Sequence, residues 1–381
     1  MTDNHDSFHP IPLPVVDSAD PLASLMPGDP DPHDAIVAEI GSETGTVLVV
    51  GRSDTGKTTL VARIARAALD RAQTVAIIDS DVGQSQIGPP CAIGMSLFRA
   101  APSEFRVRRP DAMAFVGSTQ PFGYFLEMIG GVCELEMAAR EQGAGLILVD
   151  TSGVAMTVAG LRLKQEKLLR LRPSRLILLE RGRELTSLAQ LARSMDFCAM
   201  HRIQPSPRAH VKPSALREGH RRERMAEYFH RAREQKLTLA SAALHGCALL
   251  NGRLLSPAAR LRVAELLMAP VLRAELTANR LVVVSARRPT PEGIGRLDLR
   301  FPNLQVRVYT PGVLNNLLVG LCDGSGTLLD LGIIQSVDFA TLTASIVTPF
   351  THMSEIRLVR LGALRLRPDG KELGALKPGE I

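Results

Sequence analysis

The sequence predicts an α/β protein: a parallel sheet with helices on both faces, then a smaller, mainly β domain. Three observations carry this. Near-continuous apolar runs alternate with amphipathic stretches from about residue 46 to 179, as expected of strands buried on both faces. The run Thr46-Val47-Leu48-Val49-Val50 ends in GRSDTGKTTL, a glycine-bounded loop opening into a helix. After about Lys236 the texture changes to short β-rich runs divided by Gly, Asp and Pro turn signals.

Taken in order, residues 1–33 are rich in Pro, Asp, Ser and His without periodicity and read as a disordered tail. The first organised domain spans 34–236. It contains a strand at 46–50, a helix at 57–70, a strand at 74–78, a loop, a strand at 114–116, a helix at 124–141, a strand at 146–149, a helix at 160–170 and a strand at 175–179. Functional loops are then expected at the carboxyl ends of the strands. The second domain, 237–381, holds strand-like runs at 281–285, 305–309, 316–321, 327–334, 342–348 and 356–366.

Composition bounds the possibilities. At 381 residues and 45% apolar content the chain can bury a sizeable core. No apolar run approaches the ~20 residues of a membrane span, and the opening MTDNHDSFHPIPLPVVDSADP lacks signal-peptide features, so a cytoplasmic location is expected. The five cysteines are scattered singly, without metal-ligand spacing, and read as reduced thiols. Net charge is +6, concentrated in a basic segment between His201 and Lys236. Interleaved Glu218, Glu223, Glu227 and Glu234 allow a solvated helix face as well as a phosphate-binding one.

The chemistry starts at Gly51. Gly51, Gly56, Lys57 and Thr58 fit G-x-x-x-x-G-K-[ST], a loop whose backbone N–H groups turn inward around nucleotide phosphates. Asp54, Thr55 and Thr59 complete the candidate cradle. Lys57 reaches the β- and γ-phosphates, the Thr58 hydroxyl ligates Mg²⁺, and the helix N-terminus adds its positive dipole end. The strand at 74–78 then runs into DSDVGQSQIGPP, where Asp79 and Asp81 lie two apart and share a side if the strand continues. One such carboxylate can hold Mg²⁺ and the other can accept a proton from a nucleophile. Gln84, Ser85 and the Gly88-Pro89-Pro90 turn shape the loop beyond.

These elements, with GSTQP at 117–121 and VDTSG at 149–153, resemble the polynucleotide 5′-hydroxyl kinase family of eukaryotic pre-mRNA cleavage and pre-rRNA processing, with its archaeal and bacterial relatives. The D-x-D-x-G-Q element is the specific part. The resemblance runs from about Asp34 to Phe229 and returns in NLLVGLCDGSGTLLDLGIIQSVDF. It implies transfer of the γ-phosphate of ATP, with Mg²⁺, to the 5′-hydroxyl end of RNA or DNA. It further implies that Asp81 positions metal and activates the hydroxyl, with Asp79 as a second metal residue, and that Thr119 and Pro121, with Gln84, lie near the nucleic-acid terminus. Arg217-Glu-Gly-His-Arg221 resembles the family's R-x-x-x-R lid, whose four-residue spacing puts both guanidinium groups on one helix face. The family's clasp, which grips the P-loop lysine region and the triphosphate and so implies Thr151 as a nucleotide contact, usually ends T-x-G-W; this chain has Thr151-Ser152-Gly153-Val154 and no Trp.

Two other readings compete. LILVDTSG also fits the γ-phosphate-sensing element of a regulatory GTPase, although no Asn is followed by Lys to read guanine. A non-catalytic, ATP-dependent RNA-binding scaffold would keep the fold without turnover, and Val154 is the feature that suggests it.

Overall fold

The computed structural model describes residues 31–207, 209, 213–377 and 380–381. Of the expected tail only Asp31, Pro32 and His33 are among them, and Arg208 and Lys212 of the basic segment also lie outside the described residues.

Helix α1 (Asp34–Ile40) leads into β1 (Gly45–Gly51), α2 (Lys57–Leu69), β2 (Val75–Ser80), β3 (Ala92–Phe98), β4 (Ala112–Phe115), α3 (Phe125–Glu141), β5 (Leu146–Thr151), α4 (Val158–Leu171), β6 (Arg175–Leu179), α5 (Thr186–Arg193), β7 (Ala199–Ile203) and α6 (Ser214–Phe229). The strands form one sheet in the order β4-β3-β2-β5-β1-β6-β7. Strands β2, β5, β1, β6 and β7 are parallel. Their residues are buried on both faces because α1 and α2 cover one side and α3, α4 and α5 the other, which is why they read as unbroken apolar runs.

Strand β3 stands where a loop was expected, and it and β4, which matches the strand expected at 114–116, depart from the parallel arrangement: both run antiparallel to their neighbours. The Gly88-Pro89-Pro90 turn and the left-handed Cys91 (φ 65°) reverse the chain, so that AIGMSLF returns alongside β2. A short apolar run of this kind has no periodicity that separates strand from buried helix.

The remaining elements are β8 (Arg233–Thr238), β9 (Ala243–His245), β10 (Arg253–Leu254), α7 (Pro257–Leu267), β11 (Val271–Leu276), β12 (Arg280–Ser285), α8 (Pro291–Arg300), β13 (Gln305–Tyr309), β14 (Leu317–Cys322), β15 (Leu328–Asp338), β16 (Thr343–Thr348), β17 (Leu358–Leu366) and β18 (Glu372–Ala375). A long sheet, β18-β17-β14-β15-β16-β8, is joined at β17 by β9, and a four-stranded sheet, β10-β11-β12-β13, packs its own small core against α7 and α8. The C-terminal domain is thus mostly β. Its two helices were not anticipated, because their short amphipathic stretches lie between stronger β signals.

Helix α6 joins the two halves. Met225, Tyr228 and Phe229 are buried in one cluster with Phe115 of β4 and Leu318, Leu331, Ile333 and Leu364 of the long sheet. Each such fully buried side chain contributes about 1.5–3 kcal/mol. Tyr228 also donates to Asp330 Oδ1 at 2.5 Å, and the Arg109 guanidinium lies over the Tyr228 ring. The basic helix is therefore a packed wedge whose polar face looks back toward β1 and β2.

Candidate active site

A cleft of about 670 Å³ opens where the loops after β1, β2, β4 and β5 meet the start of α6. Its floor is the loop from Gly51 to Gly56. A Cβ at Gly51 would sit 2.7 Å from Leu179 O and from Thr55 Oγ1. Gly56 is left-handed (φ 86°) and caps α2, so the first N–H groups of that helix point at the cleft. Thr55 Oγ1 donates to Arg52 O at 2.9 Å, tightening the turn. Asp54, Gly56, Lys57, Thr58 and Thr59 line the cleft.

Lys57 is 7% exposed, and its Nζ donates to Arg52 O at 2.7 Å. Burial lowers its pKa, while the charges of Asp150, Asp81 and Asp54 pull it back up. Thr58 Oγ1 donates to Asp150 Oδ2 at 2.6 Å. Asp150, next to last in β5, lies beside Asp79, and its other oxygen, Oδ1, is buried without a hydrogen-bond partner among the described residues. Burial raises the Asp150 pKa against the opposing influence of Lys57 and Thr58.

The two carboxylates of the D-x-D element part company. Asp81 lines the cleft, its Oδ1 accepting from the N–H groups of Gly83 and Gln84 at 3.1 Å each. Asp79 does not line it. Its carboxylate is buried under the loop, where Oδ1 accepts from Asp81 N and Oδ2 from Gln86 N and Ile87 N. Burial, with the charges of Asp150 and Asp81 close by, pushes Asp79 up to about 7. The shared side expected for the pair is lost because the chain leaves the strand at Ser80. Asp79 accordingly shapes the loop, and the carboxylate standing beside Thr58 is Asp150.

Gln84, Thr119, Gln120, Pro121 and Phe122 form one wall. The GSTQP segment leans on the C-terminal domain: Gly117 is left-handed (φ 78°), a Cβ there would meet Gly362 Cα at 2.5 Å, and Gly117 O accepts from Ala363 N at 2.8 Å. Opposite, Ser152, Gly153 and Val154 press on the phosphate loop so closely that a Cβ at Gly153 would lie 2.4 Å from Ser53 N. Thr151 faces away, its hydroxyl donating to Val49 O inside the sheet. That removes it from the cleft and corrects its expected place among the nucleotide contacts. With no Trp in the chain, the large aromatic ring lining the cleft is Phe122, 42% exposed.

The arginines of α6 also separate. Arg217 lines the cleft and pairs with Asp54 of the phosphate loop. Arg221 does not line it; its Nε donates to Glu372 Oε1 of β18 at 2.9 Å, so the expected pair on one catalytic face is reduced to one residue. Arg224, which could have been a solvated charge, is 2% exposed and donates to the carbonyls of Gln86, Gly88 and Val107, fastening the loop after β2.

Sequence reasoning did not assign Asp150, buried against Thr58, to the metal, although LILVD is the signal for such a carboxylate. It also missed Lys164 and Lys167, both fully buried on α4. Their spacing with Leu163, Leu168 and Leu171 places them on the apolar face of that helix. Burial drives the Lys164 pKa well down and that of Lys167 to about 8.

The donor set suits a Mg²⁺–nucleotide. Mg²⁺ takes few protein ligands and several phosphate oxygens; Thr58, Asp81 and Asp150, with its unpartnered Oδ1, present such oxygens beside a phosphate cradle.

The parallel sheet, the glycine cradle and the helix that opens from it define the class, a P-loop protein. A family model described as mRNA cleavage and polyadenylation factor CLP1 P-loop matches residues 51–231. A polyribonucleotide 5′-hydroxyl-kinase of Pyrococcus horikoshii is 30% identical over 87% of this chain and 88% of its own. One of Methanocaldococcus jannaschii is 28% identical over 88% and 91%. The solved structure of a wild-type Clp1p–Pcf11p complex superposes with TM-score 0.56 at 12% identity, over 88% of this chain and 80% of that one, a likeness of fold. The chain belongs to the polynucleotide 5′-hydroxyl-kinase family.

Proposed function

We propose that the protein transfers the γ-phosphate of ATP to the 5′-hydroxyl end of RNA or DNA. The observation that carries this reading is convergence: Lys57 with Thr58, Asp81 and Arg217 come from three separate stretches of chain onto one cleft, and Thr119, Gln120 and Pro121 add a fourth. The names of the archaeal relatives support the acceptor class.

In this reading Lys57 and the first N–H groups of α2 hold the β- and γ-phosphates. Thr58, Asp81 and Asp150 hold Mg²⁺, which when bound neutralises charge across the phosphates. Asp81, fixed through Oδ1 by the Gly83 and Gln84 N–H groups, accepts the proton of the attacking hydroxyl. Gln84, Thr119 and Pro121 place that hydroxyl. Arg217, anchored on a helix that is itself packed into the domain junction, neutralises the transferring phosphoryl group, a role worth roughly 10³–10⁵ in rate where an arginine supplies it. The guanine-reading alternative loses support at the end of β6, where Glu180 is committed to Leu185 N and Arg202.

The test is incubation with γ-labelled ATP, Mg²⁺ and oligonucleotides ending in 5′-hydroxyl or 5′-phosphate. Label on the hydroxyl-ended oligonucleotide alone is expected. Release of free phosphate with neither oligonucleotide labelled would point to an NTPase, and no turnover with intact ATP binding to a scaffold.

A further inference from the structure

Lys164 and Lys167 are 0% and 1% exposed, and among the described residues neither ammonium has a carboxylate within ion-pair distance. Burying a cation without a paired anion is among the most costly things a fold can do, and an apolar side chain of the same volume would pack the site as well. The hydrogen bonds show where that cost is directed. Lys164 Nζ donates to Ser152 O at 2.7 Å and to Ser152 Oγ at 3.1 Å. Lys167 Nζ donates to Ser80 Oγ at 2.8 Å, and Ser80 Oγ donates onward to the Asp150 carbonyl at 2.7 Å. One lysine therefore grips the cleft wall that Gly153 presses onto Ser53. The other joins the residue between Asp79 and Asp81 to the backbone of Asp150.

We propose that Lys164 and Lys167 are positioning residues for phosphoryl transfer: Lys164 holds the 152–154 wall against the phosphate loop, and Lys167 locks the ends of β2 and β5 together so that Asp81 and Asp150 keep a fixed separation. What is being positioned rests on the kinase reading; the locking of the two strand ends does not. Helix α4 follows β5 directly, and the close packing of its Gly160 on Val154, where a Cβ would meet Val154 O at 2.8 Å, makes its first turns the scaffold on which that wall rests. A lysine Nζ donor suits this task better than an apolar contact, because its hydrogen bonds fix direction as well as distance.

The experiment compares Lys164→Met, Lys167→Met, Ser80→Ala and, as a control for lost stability from the same helix, Leu163→Ala. Amide hydrogen exchange is followed at 80–84 and 150–154 without nucleotide, and transfer kinetics are measured well below each melting temperature. The lysine variants should raise exchange in these segments by ~10-fold or more while β1 stays protected. They should lower kcat by ~10- to 100-fold with the KM for ATP little changed. Ser80→Ala should reproduce the Lys167 effect, and combining the two should add nothing; if a lysine variant does not fold, Ser80→Ala carries the test. Leu163→Ala should lose stability and keep kcat. Unchanged exchange and kcat in the folded variants, or kcat losses that follow melting temperature across all four, would overturn the proposal. If the wild type transfers no phosphate, the kinase reading fails and the exchange data still decide the locking of the strands.

Discussion

Replacing Lys57 by Ala should abolish transfer, because among the described residues it is the one cation of the phosphate loop that lines the cleft. The same logic separates the two aspartates that the sequence presents as a pair. Asp81→Asn should remove turnover while nucleotide binding stays measurable, since the amide keeps the shape and loses the charge. Asp79→Asn should show mainly in stability, by about 1–3 kcal/mol, because one amide oxygen cannot replace a carboxylate that accepts from Asp81, Gln86 and Ile87. Equilibrium unfolding and kcat for the two variants check this, and a larger kcat loss in Asp79→Asn at equal stability would reverse the roles. Arg217→Lys should lower kcat strongly by losing the planar fork, whereas Arg221→Lys, whose partner is Glu372, should cost less. The phosphate loop was legible because its motif states its own geometry. The diversion of Asp79 and Arg221 was not, because residue spacing gives a face only while the strand continues and only when no neighbouring domain competes for the side chain.

At the scale of elements, the central parallel strands were readable from their apolar runs, and α2 from its motif and amphipathic pattern. Strand β3 was not, and neither was the direction of β4, whose position at 114–116 was legible: the reversal at Gly88-Pro89-Pro90 is a turn signal, and nothing local announces that the chain returns antiparallel. Helix α4 hides its two lysines in a sequence that reads as an ordinary amphipathic helix. They have a pH signature. The folded-state pKa of Lys167 is lowered to about 8 from 10.5, so between these values the unfolded chain binds more protons than the folded one and wild-type stability rises with pH, by at most ~1.4 kcal/mol per unit. Below about pH 8 the folded protein carries the full desolvation cost. Denaturant unfolding of wild type and Lys167→Met at pH 7 and pH 10 should therefore show the wild type gaining on the variant as pH rises; a gap that stays constant would contradict the lowered pKa.

For the whole molecule, the C-terminal domain is part of the site's support. It braces Gly117 through Gly362 and Ala363, holds Arg221 through Glu372, and takes up α6 in a shared core. Gly362→Ala would put a Cβ 2.8 Å from Gly117 O, and should cost about 1–3 kcal/mol by overpacking while raising the KM for the oligonucleotide more than that for ATP, as steady-state kinetics would show. The mostly β character of this domain was legible in its turn-punctuated runs. Its bracing role was not, since contacts between residues so far apart in sequence leave no local pattern. The most direct measurement of the central claim is the fate of the γ-phosphate: wild type and Lys57→Ala are incubated with γ-labelled ATP, Mg²⁺ and a 5′-hydroxyl oligonucleotide, which is then digested to nucleotides. The account predicts label on the 5′-terminal nucleotide with the wild type and none with the variant; equal labelling by both, or label recovered solely as inorganic phosphate, would contradict it.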